Sequence, residues 1–200
     1  MRLGVYGGSF DPIHRGHVAA AVAVRAQRGL DRVLLVPAGS PPHKDGCVAS
    51  VEDRIAMARL AAADLPALEV LDLEARRPPP SFTVDTIEAL RAAHPGAELD
   101  LLVGSDMLED LPRWHRAGDL VAQVTVVAFP RPGADAGAAR RAFLQAFGPE
   151  AHLAWLEIPP VDASSTEVRR LIAEGRPAGA LLDPAVEAFI AGKGLYKGGG

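Results

Sequence analysis

The segment Gly7-Gly8-Ser9-Phe10-Asp11-Pro12-Ile13-His14-Arg15-Gly16-His17 decides the fold of this chain, because an apolar run precedes it and a helical pattern follows it. Its two leading glycines let the backbone approach an anion closely and offer N–H donors that no side chain obstructs. The start of the following helix adds free N–H groups and the positive end of the helix dipole. The two histidines lie three residues apart, so both imidazoles can face one anion. The segment therefore predicts a phosphate site between a first strand and a first helix.

The same segment differs from two common nucleotide-binding patterns. It contains neither the Gly-Lys-Ser/Thr of a Walker loop nor a Gly-x-Gly-x-x-Gly fingerprint. A P-loop nucleoside triphosphatase and an NAD-dependent oxidoreductase are therefore both disfavoured.

Strand and helix patterns alternate along the rest of the chain. Strands are expected at 3–6, 32–36, 68–73, 99–103, 124–129 and 153–158, and helices at 16–28, 50–63, 83–93, 106–111, 114–122, 138–147, 165–174 and 184–191. This alternation predicts the α/β class, as a doubly wound, Rossmann-like parallel sheet covered on both faces. We expect one domain over residues 1–200, with the helices at about 164–192 as a small C-terminal part and 197–200 as a frayed tail. Ligands bind such sheets beyond the carboxyl ends of the strands.

Composition limits the classes of partner. The formal net charge is −4 and the pI about 5.9, so a broad basic surface for nucleic acid is not expected. A single cysteine, Cys47, excludes an internal disulfide and a multi-cysteine metal site. The longest apolar run, Val18–Val24, is far shorter than a membrane span. We expect a soluble, cytoplasmic protein that binds small molecules and neither nucleic acid nor membrane; an oligomer stays possible.

Two later segments add candidate ligand contacts. Lys44 follows two prolines and a histidine in the loop after the second strand, where it offers a mobile positive charge. Thr83 is a plausible N-cap, and the free N–H groups of its helix could equally receive a substrate carboxylate.

A third segment, Gly104–His115, follows the fourth strand. Asp106 stands at the carboxyl end of that strand, where it can hold a ribose hydroxyl or simply cap a helix. Trp114 lies in a polar stretch and can stack on a flat ring, although many tryptophans are core residues.

The last candidate segment is Ser164-Ser165-Thr166-Glu167-Val168-Arg169, at the start of a helix. Ser164 and Glu167 have the spacing of a capping box. The hydroxyls, the N–H groups and Arg169 also make a good cradle for a polyphosphate.

Taken together, these segments resemble the nucleotidyltransferase superfamily with the His-x-Gly-His signature. Within it, Gly-Gly-Ser-Phe-Asp-Pro-Ile-His-Arg-Gly-His is similar to the motif of the bacterial nicotinate-nucleotide adenylyltransferases, with Ser9 in place of the usual threonine. The resemblance extends over nearly the whole chain. Phe82 replaces a tyrosine of the family pattern at the segment that contains Thr83 and Thr86.

The resemblance implies roles for the candidate residues. The catalytic set would be His14, His17, Lys44 and Arg169. The ATP-binding set would be Gly7, Gly8, Ser9, Phe10, His14, His17, Gly104, Asp106, Ser164, Ser165, Thr166 and Arg169. The nicotinate-nucleotide set would be Ser9, Lys44, Thr83, Thr86, Asp106, Trp114 and His115. Arg131 also matches a family position, without a defined role.

The implied reaction joins nicotinate mononucleotide and ATP to give deamido-NAD and pyrophosphate. The attacking phosphate is already largely dianionic at neutral pH, so no general base is required. Mg²⁺ would enter with the ATP phosphates, without a dedicated protein metal site. Two alternatives stay open: the same chemistry on nicotinamide mononucleotide, phosphopantetheine or a flavin nucleotide, and a nucleotide sensor that binds without turnover.

Overall fold

The structure of this chain is a computed structural model that describes residues 1–39, 47–131, 135–159 and 163–198. Its strands are β1 (Arg2–Gly8), β2 (Arg32–Pro37), β3 (Leu68–Val70), β4 (Glu98–Gly104), β5 (Thr125–Phe129) and β6 (Leu153–Trp155). Its α-helices are α1 (Arg15–Arg28), α2 (Val51–Ala62), α3 (Thr83–Ala93), α4 (Ser105–Asp110), α5 (Ala117–Val121), α6 (Ala136–Phe147), α7 (Ser165–Ala173) and α8 (Pro184–Lys193).

The strands form one sheet in the order β3-β2-β1-β4-β5-β6, and every neighbouring pair is parallel. The strand order reverses between β1 and β4, because the chain builds outward first on one side of β1 and then on the other. The carboxyl ends of these two strands therefore border a crevice of the kind in which doubly wound sheets bind ligands. The predicted fold class is confirmed.

Two separate apolar clusters cover the faces of the sheet. One cluster joins Tyr6 and Leu102 of the sheet to α1, α2, α7 and α8. The other joins Leu101 and neighbouring strand residues to α3, α4, α5 and α6. The helices expected as a C-terminal part, α7 and α8, thus bury Val168 and Val186 in the first cluster.

Several predicted boundaries are wrong, each for a local reason. Strands β3 and β6 end after three residues each, because they are the two edges of the sheet and pair on one side only. The helix expected at 114–122 begins at Ala117, since Arg116 has a left-handed backbone (φ 50°) and Trp114 is extended. Before it, α4 runs into a short 3₁₀ turn, Leu111–Arg113, that contains Pro112. Among the described residues, no helix is long and apolar enough to cross a membrane.

Candidate active site

A cavity of about 240 Å³ lies at the carboxyl ends of β1 and β4, where the strand order reverses. On one side it is lined by the phosphate segment, with Gly7, Gly8, Ser9, Phe10 and His17. On the other side its lining includes Phe82, Thr83, Gly104, Asp106, Trp114, His115 and Arg131. The tertiary structure thus brings together three segments that the sequence analysis singled out separately.

The phosphate segment has the open backbone that an anion requires. A Cβ atom placed on Gly7 would meet nothing within 4 Å. Phe10 has a left-handed backbone (φ 45°), and its ring meets that of His17 edge-on, with the centroids 5.0 Å apart. From below, the buried Arg54 guanidinium donates to the carbonyl oxygen of Ser9 at 2.7 Å. Buried side chains therefore fix the shape of this segment.

His17 presents a defined tautomer. Its Nδ1 accepts a hydrogen bond from the backbone N–H of His14 at 3.3 Å. A neutral imidazole with Nδ1 as acceptor carries its proton on Nε2, so that nitrogen is a donor. Because His17 lines the cavity, it can donate to a phosphate bound there.

His14 occupies a different environment from the one expected. Its ring stacks on that of His17, with centroids 3.7 Å apart, and it is not among the residues that line the cavity. Burial, helped by the nearby charge of Arg131, lowers the pKa of His14 to about 4, so the imidazole is neutral at pH 7. Its Nδ1 has no hydrogen-bond partner within the described parts of the chain. Of the two rings that were expected to face one anion, only that of His17 is among the residues that line the cavity.

The position of the His14 ring explains why residue 16, between the two histidines, is a glycine. A Cβ atom at this position would lie 3.0 Å from Cε1 and Nδ1 of His14. A side chain at residue 16 would therefore push the ring of His14 from its present position on His17.

The other end of the cavity combines the N-terminus of α3, which has no side-chain cap and is called the open helix start below, with flat rings. Thr83 is the first residue of α3, so its backbone N–H has no acceptor within the helix. The expected N-cap role of Thr83 is wrong: the N-cap is Phe82, whose side chain cannot cap. The Phe82 ring stacks on His115 with centroids 4.1 Å apart, and Trp114 lines the same region. This end suits a flat ring that carries an anionic group.

Thr86 lies beneath this end and outside the cavity lining. Its hydroxyl donates to Oε1 of Glu74 at 2.9 Å and accepts from Nη2 of Arg77 at 3.1 Å. Burial raises the pKa of Glu74, although the hydrogen bond from Thr86 acts in the other direction. Thr86 therefore supports the start of α3 from inside, whereas the sequence had suggested a direct contact with the ligand.

Asp106 and Arg131 form the third wall. Nε of Arg131 lies 3.9 Å from Oδ1 of Asp106, and the Asp106 side chain is about half exposed. A Cβ atom on Gly104 would overlap Asp106 and lie 2.8 Å from Cγ of Arg131. Gly104 thus makes room for this pair, and both of its members line the cavity.

The helix start at Ser164–Arg169 braces the phosphate segment and does not line the cavity. Nη1 of Arg169 donates to the carbonyl oxygen of Asp11 at 2.6 Å, and the Ser165 hydroxyl donates to that of Pro12 at 2.9 Å. Only half of the predicted capping box forms. Ser164 accepts from the N–H of Glu167, but the Glu167 carboxylate pairs with Arg170. Thr166 meets Nη2 of Arg169 at 3.4 Å.

Two residues that were not predicted, Tyr6 and Glu74, also belong to the site, whereas one predicted residue cannot be placed. Lys44 lies outside the described residues. Tyr6 and Glu74, which the sequence analysis missed, both line the cavity. Burial raises the pKa of Tyr6 to about 12, and within the described ranges its hydroxyl has no hydrogen-bond partner. Tyr6 immediately precedes the glycines, and that position was the available signal; Glu74 had no motif around it.

No group of three or more His, Cys, Asp or Glu side chains in the described residues is arranged to hold a metal ion. The cavity lining includes the imidazoles of His17 and His115 and the guanidinium of Arg131, which suit anions, beside the carboxylates of Glu74 and Asp106.

Comparison with known proteins agrees with this geometry. Residues 5–171 match the cytidylyltransferase-like family. A protein of Symbiobacterium thermophilum named probable nicotinate-nucleotide adenylyltransferase is 44% identical over 201 residues, covering 99% of this chain and 96% of the relative. One of Gloeobacter violaceus with the same name is 43% identical, with 98% and 96% covered.

Solved structures share the fold. The Plasmodium falciparum nicotinic acid mononucleotide adenylyltransferase complexed with NaAD superposes with a TM-score of 0.80 at 20% identity, covering 98% of this chain and 97% of that one. At that identity the likeness concerns the fold alone, whereas the curated relatives match in sequence from end to end. The chain therefore belongs to the cytidylyltransferase-like family and, within it, to the nicotinate-nucleotide adenylyltransferases.

Proposed function

We propose that this protein transfers the adenylyl group of ATP to nicotinate mononucleotide, giving deamido-NAD and pyrophosphate. One observation carries the proposal: a single cavity joins a phosphate segment with His17 to an open helix start at Thr83 beside stacked rings. A nucleotide that carries a phosphate, a carboxylate and a flat ring matches these three features in that order. The names of the full-length relatives support the same acceptor.

The chemistry requires positioning and charge stabilisation. A phosphate oxygen of the mononucleotide attacks the α-phosphorus of ATP, and the bond from that phosphorus to the oxygen bridging the β-phosphate breaks. The attacking phosphate needs no base, because its second pKa is about 6. We expect Nε2–H of His17, which lines the cavity beside the open backbone at Gly7, to stabilise the charge that develops on the α-phosphate.

The acceptor end gives the specificity. The free N–H at Thr83 and the dipole of α3 favour a carboxylate over an uncharged amide. Phe82, His115 and Trp114 provide apolar faces for the pyridine ring. The predicted contributions of Lys44, Arg169 and Ser164–Thr166 to phosphate binding stay part of this proposal.

Mg²⁺ fits the proposal as an ion that arrives with ATP. It usually keeps several waters and binds through substrate phosphates with few protein ligands. Two carboxylates, Glu74 and Asp106, line the cavity, and the half-exposed Asp106 is the one that such an ion could reach beside the phosphates. Bound in this way, Mg²⁺ would offset the negative charge of the phosphates.

The test is a pyrophosphate-release assay with ATP, Mg²⁺ and a panel of acceptors: nicotinate mononucleotide, nicotinamide mononucleotide, phosphopantetheine and flavin mononucleotide. We expect kcat/KM for the acid to exceed that for the amide by at least about tenfold, a difference of roughly 1.4 kcal/mol. A preference for the amide would overturn the role given to the α3 N-terminus. Binding of ATP without pyrophosphate release from any acceptor would favour a nucleotide sensor.

A further inference from the structure

Asp11 is a buried junction within the phosphate segment. Its carboxylate accepts from the backbone N–H of Val48 at 2.7 Å and of Ala49 at 3.1 Å, just before α2. Its Oδ1 also accepts from the hydroxyl of Tyr196 at 2.7 Å. Because its own carbonyl oxygen accepts from Arg169, one residue joins the phosphate segment to α2, to α7 and to the end of the chain.

Tyr196 is held in place for this contact. It is 7% exposed, packs in the first apolar cluster, and has a left-handed backbone (φ 62°) although it is not a glycine. A residue keeps such a conformation when its surroundings over-determine it, which often happens near functional sites. Burial raises the pKa of Tyr196 far above its usual range, and the Asp11 carboxylate acts in the same direction, so the hydroxyl stays protonated and donates.

The junction lies next to two residues that line the cavity, Phe10 and His17. Phe10, which precedes Asp11, packs its ring against that of His17. A shift of Asp11 would therefore move the Phe10 ring and, through it, the imidazole that faces the cavity. Misplacement of a catalytic group by about 1 Å can lower the rate about a hundredfold.

We propose that Tyr196 is a positioning residue, which acts through Asp11 to hold the phosphate segment and His17 in the geometry needed for adenylyl transfer. The proposal rests on the proposed function. It assigns an active-site role to a residue that follows α8 and is not among the residues that line the cavity.

The main test compares Tyr196→Phe with Lys193→Ala. Both residues belong to the C-terminal end, but the partly exposed Lys193 pairs with Asp53 of α2 and does not touch Asp11. For Tyr196→Phe we expect kcat to fall at least about tenfold with both KM values within about twofold of wild type. Lys193→Ala should keep wild-type kcat. Assays are run at a temperature where circular dichroism shows every variant fully folded.

A double-mutant cycle then asks whether Tyr196 acts through Asp11. If it does, adding Tyr196→Phe to Asp11→Asn lowers kcat no further than Asp11→Asn alone. Independent, multiplicative losses, or a Tyr196→Phe kcat within twofold of wild type, would overturn the proposal.

A readout without substrates separates this proposal from the proposed function and does not depend on Asp11→Asn folding. Amide hydrogen exchange at Val48 and Ala49 should be several-fold faster in Tyr196→Phe than in wild type, and unchanged in Lys193→Ala. Unchanged exchange in Tyr196→Phe would overturn the positioning role. An enzyme that released no pyrophosphate would instead contradict the proposed function.

Discussion

At the scale of single residues, two identical side chains, His14 and His17, have different roles because their environments differ. The His17 ring faces the cavity with its proton on Nε2, as its hydrogen bond to the His14 N–H requires. The His14 ring is buried behind it, neutral and stacked. The first is placed to contact the reacting phosphate, and the second to support the first.

Replacing His17 by alanine tests the first role. We expect His17→Ala to lower kcat by about a hundredfold to a thousandfold, because one preorganised donor at a developing charge contributes on that scale. The fold should stay intact by circular dichroism. The exposed His152, on the loop before β6, provides the control His152→Ala, which should retain full activity. Wild-type turnover in His17→Ala would contradict the assignment.

Acid unfolding tests the buried, neutral state of His14. The unfolded histidine takes up a proton near pH 6.5, whereas folded His14 does so only near pH 4. Between these values the unfolded state binds more protons, so the free energy of unfolding decreases as the pH falls and levels off below pH 4. The total decrease in the free energy of unfolding from this one histidine is about 3 kcal/mol, at about 1.4 kcal/mol for each pKa unit.

Urea unfolding at pH 7 and at pH 4.5 measures this contribution. Wild type should lose about 2 kcal/mol more stability than His14→Gln between the two pH values. Equal losses in the two proteins would show that His14 is not buried as a neutral imidazole.

At the scale of elements, the start of α3 depends on a buried network as well as on its own backbone. Glu74, Arg77 and Thr86 meet directly under the first turn, and the Ser81 hydroxyl donates to the carbonyl oxygen of Glu74 at 3.4 Å. Since Phe82 provides no side-chain cap, these polar groups hold the turn that presents the N–H of Thr83.

Thr86→Val tests this support. The substitution leaves a buried Glu74 carboxylate without one of its donors, and such a loss costs about 1–3 kcal/mol of stability. We expect KM for nicotinate mononucleotide to rise several-fold, because the open helix start shifts, while KM for ATP stays near wild type. Thr125→Val, at the amino end of β5 and away from the cavity, is the control. Equal changes in both KM values would contradict a role confined to the acceptor end.

At the scale of the whole molecule, the carboxyl ends and the amino ends of the strands have separate roles. The cavity occupies the carboxyl edge, while a buried charge cluster lies toward the amino edge: Asp100 of β4 accepts from Nε of Arg28 at 2.7 Å, and Nη2 of Arg2 lies 3.9 Å away. This cluster links β1, β4 and the end of α1. It explains why Asp100 lies within the otherwise apolar run Leu99–Val103 of the central strand.

Asp100→Asn should therefore lower stability without changing catalysis. We expect a loss of about 2 kcal/mol, less than for a fully buried pair because Arg28 is partly exposed. Urea unfolding measures the loss, and pyrophosphate release at a temperature where the variant is folded should match wild type. A large fall in kcat with little loss of stability would show that the charge cluster at the amino ends of the strands influences the cavity at their carboxyl ends.

The sequence by itself determined the α/β class, the candidate phosphate segment after the first strand, and two of the later segments that border the cavity, those at Thr83 and at Gly104–His115. These follow from local patterns: strand and helix periodicity, glycines between a strand and a helix, and histidines at helical spacing. Boundaries at the edge strands and around Arg116 did not follow, because pairing on one side and a left-handed residue override local propensity.

Only the tertiary structure decided what each polar group contacts. It turned the His14 ring away from the cavity lining, engaged Arg169 with the carbonyl oxygen of Asp11, and placed Thr86 under α3. It also brought Tyr196 to Asp11 across 185 positions of sequence. The physical reason is that a buried polar group must find a hydrogen-bond partner wherever the packed chain supplies one, and no local pattern encodes which distant residue that is.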